Sequence, residues 1–342
     1  MTQPQPAATS IAVYGADGHT GRLVVTELAR RGHEVVLGGR SRSALEALRD
    51  GLEAPAQVRS AHVDDRAALR SLTAGAGVVI NCAGPFAATG RALASAAIET
   101  GTHYLDHSAE PLYVRALFEQ LGSRARAAGV VVVPGMSFFG ALADLLAHRL
   151  AGDRAEVDEV TVAYAVRGWL MTAGSRATAL GLREADRATF RDGTLGVGPP
   201  ARALATFDFP EPVGRQAVIV DYPAGEVVTI PRHVATRAVR VVMTADTFVA
   251  AEVFGGADVD PRTRAGSEYL LTVRAASSTG TLERHLEGSD IYGTGAAVAV
   301  EAAVRLARGS GAATGGVRSA AQVFPPDRFL DALEERGVLR QL

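Results

Sequence analysis

Three groups of residues have types and spacings that could do chemistry. The first is Gly15, Gly18 and Gly21, directly after the apolar run "IAVY" at 11–14. A strand that ends in G-x-x-G-x-x-G and opens a helix leaves bare backbone amides at the helix N-terminus. With the helix dipole, those amides make a seat for a pyrophosphate. Gly15 allows the sharp turn, Gly18 lets phosphates approach, and Gly21 lets the helix pack on the strand. Asp17, His19 and Thr20 complete the turn. The same spacing could serve a plain tight turn. Its place in the first strand–helix–strand unit favours a ligand.

The second group is Arg40, Ser41 and Arg42, at the end of the next apolar run, "EVVLGG" at 34–39. Sites that prefer NAD place an acidic residue there for the ribose 2′-hydroxyl. Guanidinium and hydroxyl groups instead suit a 2′-phosphate. The expected cofactor is NADP(H); the competing reading is a pair of solvated surface arginines. Further along, "SAHVDD" at 60–65 reads as a third strand. Asp64 at its end could accept from an adenine amino group; Asp64 or Asp65 could equally cap the next helix.

The third group spans two strand ends. "NCAGPF" at 81–86 puts Asn81, Cys82, Ala83, Gly84 and Pro85 where backbone can approach a ligand at the switch point of an open sheet. Cys82 also reads as a small core residue, since nothing basic lies beside it. "GTHYLDHSAEP" at 101–111 brings Tyr104, Asp106, His107 and Glu110 to one strand end. In an extended strand Tyr104 and Asp106 share one face, and His107 takes the other. Tyr104, Asp106 and His107 are the candidate catalytic groups, with Tyr104 the expected proton donor. A core tyrosine and an ordinary helix start explain the same residues.

The composition removes several alternatives. The chain has no lysine, so its 35 basic residues are all arginine. Schiff-base chemistry and the Tyr-x-x-x-Lys arrangement are therefore excluded. Cys82 is the only cysteine, which rules out an internal disulfide and fits a cytoplasmic location. A net charge of −2 without long runs of one sign indicates no nucleic-acid groove and no polybasic membrane patch. The scattered histidines make no metal site. Residues 1–9 read as a disordered lead, and no stretch is apolar and long enough for a membrane span.

The elements that must position these groups follow from the apolar pattern. Over residues 10–152, short Val/Ile runs alternate with helical stretches, which predicts an α/β Rossmann domain: a doubly wound parallel sheet. From 153 to 288 strands with short turns predict a second, mixed and largely antiparallel α+β domain. "EVVTIP" at 226–231 is read among its strands, and one helix is expected at about 175–190. Residues 289–342 predict helices that pack back on the first domain. Asp144, in an apolar helical stretch, is either solvated or the partner of a buried donor. Arg167, Arg176, Arg183, Arg232 and His233 are candidates for an anionic substrate group, solvation being the simpler reading of most of them.

Together "GADGHTGRLV", "GGRSRSALEAL", "VVINCAGPFAATGRALASAAIETGTHYLDHSAE" and "GVVVVPGMSFFGALADLLAHRLA" resemble the saccharopine dehydrogenase-like oxidoreductases. That group includes saccharopine reductases and trans-acting enoyl reductases. The resemblance covers about residues 10–150 and thins beyond. It implies an NADP-binding Rossmann domain, a second domain often used for dimer contact, and C-terminal helices returning to the first domain. It also implies that Gly15, Gly18 and Gly21 meet phosphates and that Arg40 and Ser41 meet the 2′-phosphate. Asn81, Gly84 and Pro85 would lie near the nicotinamide, and Tyr104, Asp106 and Glu110 match the family's strand-five motif. Two positions depart from the pattern: His19 stands for an aromatic Tyr or Phe, and Ala109 for a glycine. The expectation is an NADPH-dependent reductase, a homodimer, acting on a polarised C=C or C=N bond of a small or carrier-bound metabolite. A carbonyl reductase and a redox-inert NADP-binding sensor or scaffold are the alternatives.

Overall fold

The fold was taken from a computed structural model. It describes residues 10–342 apart from 153–156, 184, 202, 249–259 and 310–314. The expected lead at 1–9 lies outside the described residues.

The first part alternates strand and helix: β1 (Ile11–Tyr14), α1 (His19–Arg30), β2 (Val35–Gly39), α2 (Arg42–Asp50), β3 (Ala56–Ser60), α3 (Arg66–Thr73), β4 (Val78–Asn81), α4 (Phe86–Thr100), β5 (His103–Asp106), α5 (Pro111–Ala127) and β6 (Val131–Val133). Most of these strands are buried along their whole length, as strands covered by helices on both faces must be. β3, at the sheet edge, is half-exposed. It also begins earlier than "SAHVDD" predicts. Val35 pairs with Ala56 and Gly39 with Ser60, so the residues after Ser60 form the turn into α3 rather than a strand.

α6 (Ala141–Ala151) leads into the second part: β7 (Val157–Arg167), α7 (Ala173–Arg183), β8 (Arg187–Arg191), β9 (Thr194–Gly198), β10 (Leu204–Asp208), β11 (Arg215–Ile219), α8 (Glu226–Thr229), β12 (Thr236–Thr244), α9 (Pro261–Arg264), β13 (Glu268–Ser277) and β14 (Gly280–Ser289). The tail holds α10 (Ile291–Ala307), β15 (Gly316–Val317), α11 (Ala320–Val323), α12 (Pro326–Glu335) and β16 (Arg340–Gln341). Two elements differ from expectation. "EVVTIP" is a helical turn, because Glu226 turns its carboxylate inward to accept from the Gly140 amide and the Tyr164 hydroxyl. The helix expected to reach 190 stops at Arg183, and a β8–β9 hairpin follows.

The first sheet has seven parallel strands in the order β15-β6-β5-β4-β1-β2-β3. The chain moves outward from β1 in one direction, then restarts at β4 in the other, so the switch point lies between β1 and β4. The main path of the second sheet runs β10-β11-β12-β7-β13-β14-β16, with only β12 and β7 parallel. α10 returns from this sheet to pack on α1, and β15 adds the outermost strand beside β6. One buried apolar cluster runs through both sheets, from Ile11 to Leu339. The two sheets therefore share a core, and the cleft between them has rigid walls.

Candidate active site

At the carboxyl ends of β1, β4 and β5 a cavity of about 630 Å³ opens between the two sheets. One half is lined by the β1–α1 loop and the end of β2: Gly15, Asp17, Gly18, Thr20, Gly39 and Arg40. The other half is aromatic, lined by Phe138, Phe139, Trp169, Tyr222 and Tyr292 with Leu182 and Pro223.

The glycine loop is built for close approach. Gly15 has φ +77°, and a Cβ there would stand 3.0 Å from Ala83. A Cβ on Gly21 would fall 2.0 Å from the Gly15 carbonyl oxygen. The N-terminus of α1 has no side-chain cap and no acidic residue in its first turn. Its neighbours are closed: Ser41 caps α2 and Asp65 caps α3. The first amides of α1 are orphan donors at the positive end of a helix, opening on a cavity. That arrangement fits a dinucleotide pyrophosphate.

Arg40 lines the cavity mouth and is exposed. Ser41 Oγ accepts from the Ala44 amide at 3.4 Å. Arg42 points to Glu46, at 3.6 Å, and does not line the cavity. Asp64 is also outside it: its carboxylate is 87% exposed, beside His62 at 3.4 Å. Of the two residues that could cap the helix after β3, Asp65 does so, accepting from the Ala68 amide at 2.9 Å. His62 and Val63 are the residues of that turn that line the cavity.

At the end of β4, Asn81 is fully buried. Its Oδ1 accepts from the Ala83 amide at 3.0 Å, and its Nδ2 donates to Thr89 and Tyr104. It shapes the loop from beneath, while Cys82, Ala83 and Gly84 line the cavity. Burial pushes the Cys82 thiol well above its usual range, with the Asp106 charge adding to it, so it carries no thiolate. Pro85 follows Gly84 through a cis bond and caps α4. The amides of Phe86 and Ala87 then donate to Glu110, at 2.7 and 2.8 Å. Glu110 closes the N-terminus of α4.

The strand-five cluster divides. Tyr104 and Asp106 are completely buried and line no part of the cavity. They belong to a chain of bonds: Asn81 donates to Tyr104 at 3.1 Å, the hydroxyls of Tyr104 and Tyr113 lie 3.0 Å apart, and Tyr113 donates to Asp106 at 2.7 Å. Asp106 also accepts from the Ser108 and Gly135 amides, at 3.0 and 2.8 Å. Burial raises its carboxyl to about 6 despite these bonds. The structure thus corrects the expected proton donor: Tyr104 lies under the cleft floor, and its hydroxyl is held by protein on both sides.

His107 is the member that lines the cavity. Its Nδ1 lies 3.2 Å from Ser137 Oγ, and its buried Nε2 has no partner among the described residues. Burial pushes the ring down to about 4, so it is neutral at physiological pH.

Sequence reasoning missed the far wall. Tyr292, at the start of α10, accepts from Trp169 Nε1 at 3.1 Å and from the Thr172 amide at 3.0 Å, and donates to Ser175. Its ring meets the His19 ring edge-on at 5.0 Å, which ties the glycine loop to the second domain. Arg264, buried on α9, lines the cavity near His19. After burial, its charge is the next cause of the lowered His19 pKa. Arg167, Arg176, Arg183, Arg232 and His233 do not line the cavity. Arg232 stacks on Phe118, and His233 pairs with Asp144 at 2.8 Å. Asp144 is thus the partner of a buried donor.

Strand order, switch point and uncapped glycine loop define a dinucleotide-binding α/β protein. Residues 11–133 match the saccharopine dehydrogenase NADP-binding domain. A trans-acting enoyl reductase of Mycobacterium ulcerans is 30% identical over 151 residues, 43% of this chain and 36% of that protein. A saccharopine dehydrogenase-like oxidoreductase of Bos taurus is 29% identical over 161 residues, 42% and 37% of the two chains. The matched part is thus little over a third of those curated relatives' length. An apo saccharopine dehydrogenase (L-Glu forming) of Saccharomyces cerevisiae superposes with a TM-score of 0.63 at 14% identity. It covers 98% of this chain and 99% of the other, so the likeness in fold extends over both sheets. Among the described residues no helix is long and apolar enough to cross a membrane, and no cluster could hold a metal ion.

Proposed function

We propose that this chain is an NADPH-dependent reductase that delivers hydride to a polarised C=C or C=N bond of a small or carrier-bound metabolite. One observation carries the reading. The uncapped α1 N-terminus and Arg40 open on the same cavity as an aromatic lobe at the ends of β4 and β5. A dinucleotide lying from Arg40 across α1 reaches that lobe with its nicotinamide end. NADPH supplies the hydride when bound. The chain's own residues do the rest: Gly18, His19 and Thr20 hold the pyrophosphate, and Arg40 and Ser41 take the 2′-phosphate. Cys82, Ala83 and Gly84 set the depth of the ring, and the aromatic wall excludes water from it. The same reading has the chain work in the cytoplasm as a homodimer, which sedimentation at micromolar concentration checks.

Trp169 is the only tryptophan and lines the cavity, so energy transfer from it to bound NADPH reads affinity directly. NADPH should bind at least about tenfold tighter than NADH, since Arg40 loses a charged partner with the latter. Arg40→Ala should remove most of that margin. Equal affinities in the unmutated protein overturn the NADP preference. A protein that binds NADPH but oxidises it with no acceptor is the sensor.

A further inference from the structure

The ends of the parallel strands set out a row along the cavity. Tyr14 pairs with Gly38 on one side and Asn81 on the other, and Asn81 pairs with Asp106. The residues that follow these, Gly39, Gly15, Cys82 and His107, stand side by side across the strand ends and all line the cavity. Arg40 follows Gly39 at the same rim. Neighbouring strands lie about 4.8 Å apart, so His107 stands about 10 Å from Gly15, on the side away from Arg40. A dinucleotide with its 2′-phosphate at Arg40 and its pyrophosphate on α1 crosses that gap with one ribose. Its nicotinamide ring then arrives at His107.

The His107 ring is held by one edge. Its Nδ1 lies 3.2 Å from Ser137 Oγ. α10 covers that side: a Cβ on Gly295 would stand 3.7 Å from Nδ1 and 2.8 Å from Ser137 Oγ, so a side chain there would push against the pair. The other edge is open to a ligand, since the buried Nε2 has no partner among the described residues. A polar atom kept in that state costs stability until a ligand completes it. Burial keeps the ring neutral at physiological pH, so it can hold a hydrogen bond but gives up no proton as an acid.

The direction of that bond follows from Ser137. When the Ser137 hydroxyl donates to Nδ1, Nε2 carries the hydrogen and donates; when Ser137 accepts, Nε2 accepts. A primary carboxamide answers both cases, with a carbonyl oxygen on one side and an NH₂ on the other. A lone carbonyl or a carboxylate answers only the first.

We infer that His107, through Nε2, holds the carboxamide of the cofactor's nicotinamide ring and so sets the rotation of that ring in the cleft. This rests on the cofactor reading above and deepens it. His107 then fixes the ring instead of moving a proton, and the ring face turned to the aromatic lobe follows from its bond.

Calorimetry on the full chain tests this with two probes. One is NADP⁺. The other is 2′-phospho-ADP-ribose, which keeps every phosphate and both riboses and lacks only the nicotinamide. His107→Asn keeps an amide against Ser137 but draws back from the cavity. NADP⁺ affinity should fall about fivefold to tenfold, with 2′-phospho-ADP-ribose held within about twofold. His107→Gln, whose terminal amide reaches the place of Nε2, should recover NADP⁺ affinity to within about threefold of the unmutated protein. Three results overturn the inference: NADP⁺ binding unchanged in His107→Asn, a loss shared by both probes, which would make His107 a packing residue, or His107→Gln no better than His107→Asn. If the unmutated protein binds neither probe, the cofactor reading itself falls. If it binds both and the His107 variants bind them equally well, only this inference does.

Discussion

Among the described residues four helices begin at the cleft, and two of them, α1 and α4, begin differently. α1 starts at His19 with its first amides bare. α4 starts at Phe86 with its first amides bonded to the carboxylate of Glu110. Both N-termini carry the same partial positive charge from the helix dipole. The difference lies in what the chain offers each: three glycines for one, its own buried acid for the other. Of the two, α1 alone offers an entering anion a vacant positive end. The phosphate site is specified as much by closing α4 as by opening α1.

The sharpest way to break this comparison is to spoil the open end. In Gly21→Ala the new methyl would fall 2.0 Å from the Gly15 carbonyl oxygen, so the loop must move. NADPH affinity should drop at least about a hundredfold, more than a single hydrogen bond could account for. Calorimetry checks it. Unchanged affinity would mean that the phosphates do not lie on α1.

Opening the closed end is the complementary test. Glu110→Ala strips two amides of a charged acceptor in a buried setting, and stability should fall by about 3 kcal/mol in urea unfolding. Glu110→Gln, which keeps one acceptor oxygen, should lose roughly half as much. If the Ala variant gains affinity for inorganic pyrophosphate, its freed amides have become a second anion seat.

Much of the open end is legible in sequence because it is local. Gly15, Gly18 and Gly21 lie within seven residues, and Arg40 ends the next strand. The closed end is legible only in part. Glu110 stands out beside Asp106 and His107, yet its target, the start of α4, is 24 residues back and is met through the sheet. The aromatic wall is less legible still. Trp169, Tyr222 and Tyr292 come from separate stretches, and only the return of α10 brings them together. "EVVTIP" misleads because its β-branched run outweighs Glu226 in any local reading, while in the fold Glu226's inward bonds decide. The β8–β9 hairpin did carry its own signal, Asp192–Gly193, both residues at positive φ as a tight hairpin turn requires.

Asp106 sharpens the contrast between the two buried acids. Its carboxyl titrates at about 6 in the fold, above its unfolded value near 3.9. The protonated form is the one the fold favours. Its contribution is full below about pH 4 and is lost as pH rises through 6. Relative to Asp106→Asn, which cannot ionise, the unmutated protein should lose about 2 kcal/mol between pH 4 and pH 7. Urea midpoints of the pair at the two pH values measure this. A constant difference would mean that the amide bonds from Ser108 and Gly135 hold the carboxylate ionised throughout.

The smallest effect is expected at Tyr104, the residue that sequence alone makes most conspicuous. Its hydroxyl is the middle link between Asn81 and Tyr113, and it faces protein on both sides. Tyr104→Phe keeps the ring and the packing. Asn81 still reaches Thr89 and still accepts from the Ala83 amide, so the loop under the cofactor keeps its shape. Tyr113 still donates to Asp106. The loss is two buried hydrogen bonds, those to Asn81 and Tyr113, about 1–2 kcal/mol of stability, with NADPH affinity held within about twofold. A tenfold loss of NADPH affinity would show that this chain of bonds, and not the glycine loop alone, sets the geometry of the open end. The contrast between α1 and α4 would then extend beneath both, to a shared support at the switch point.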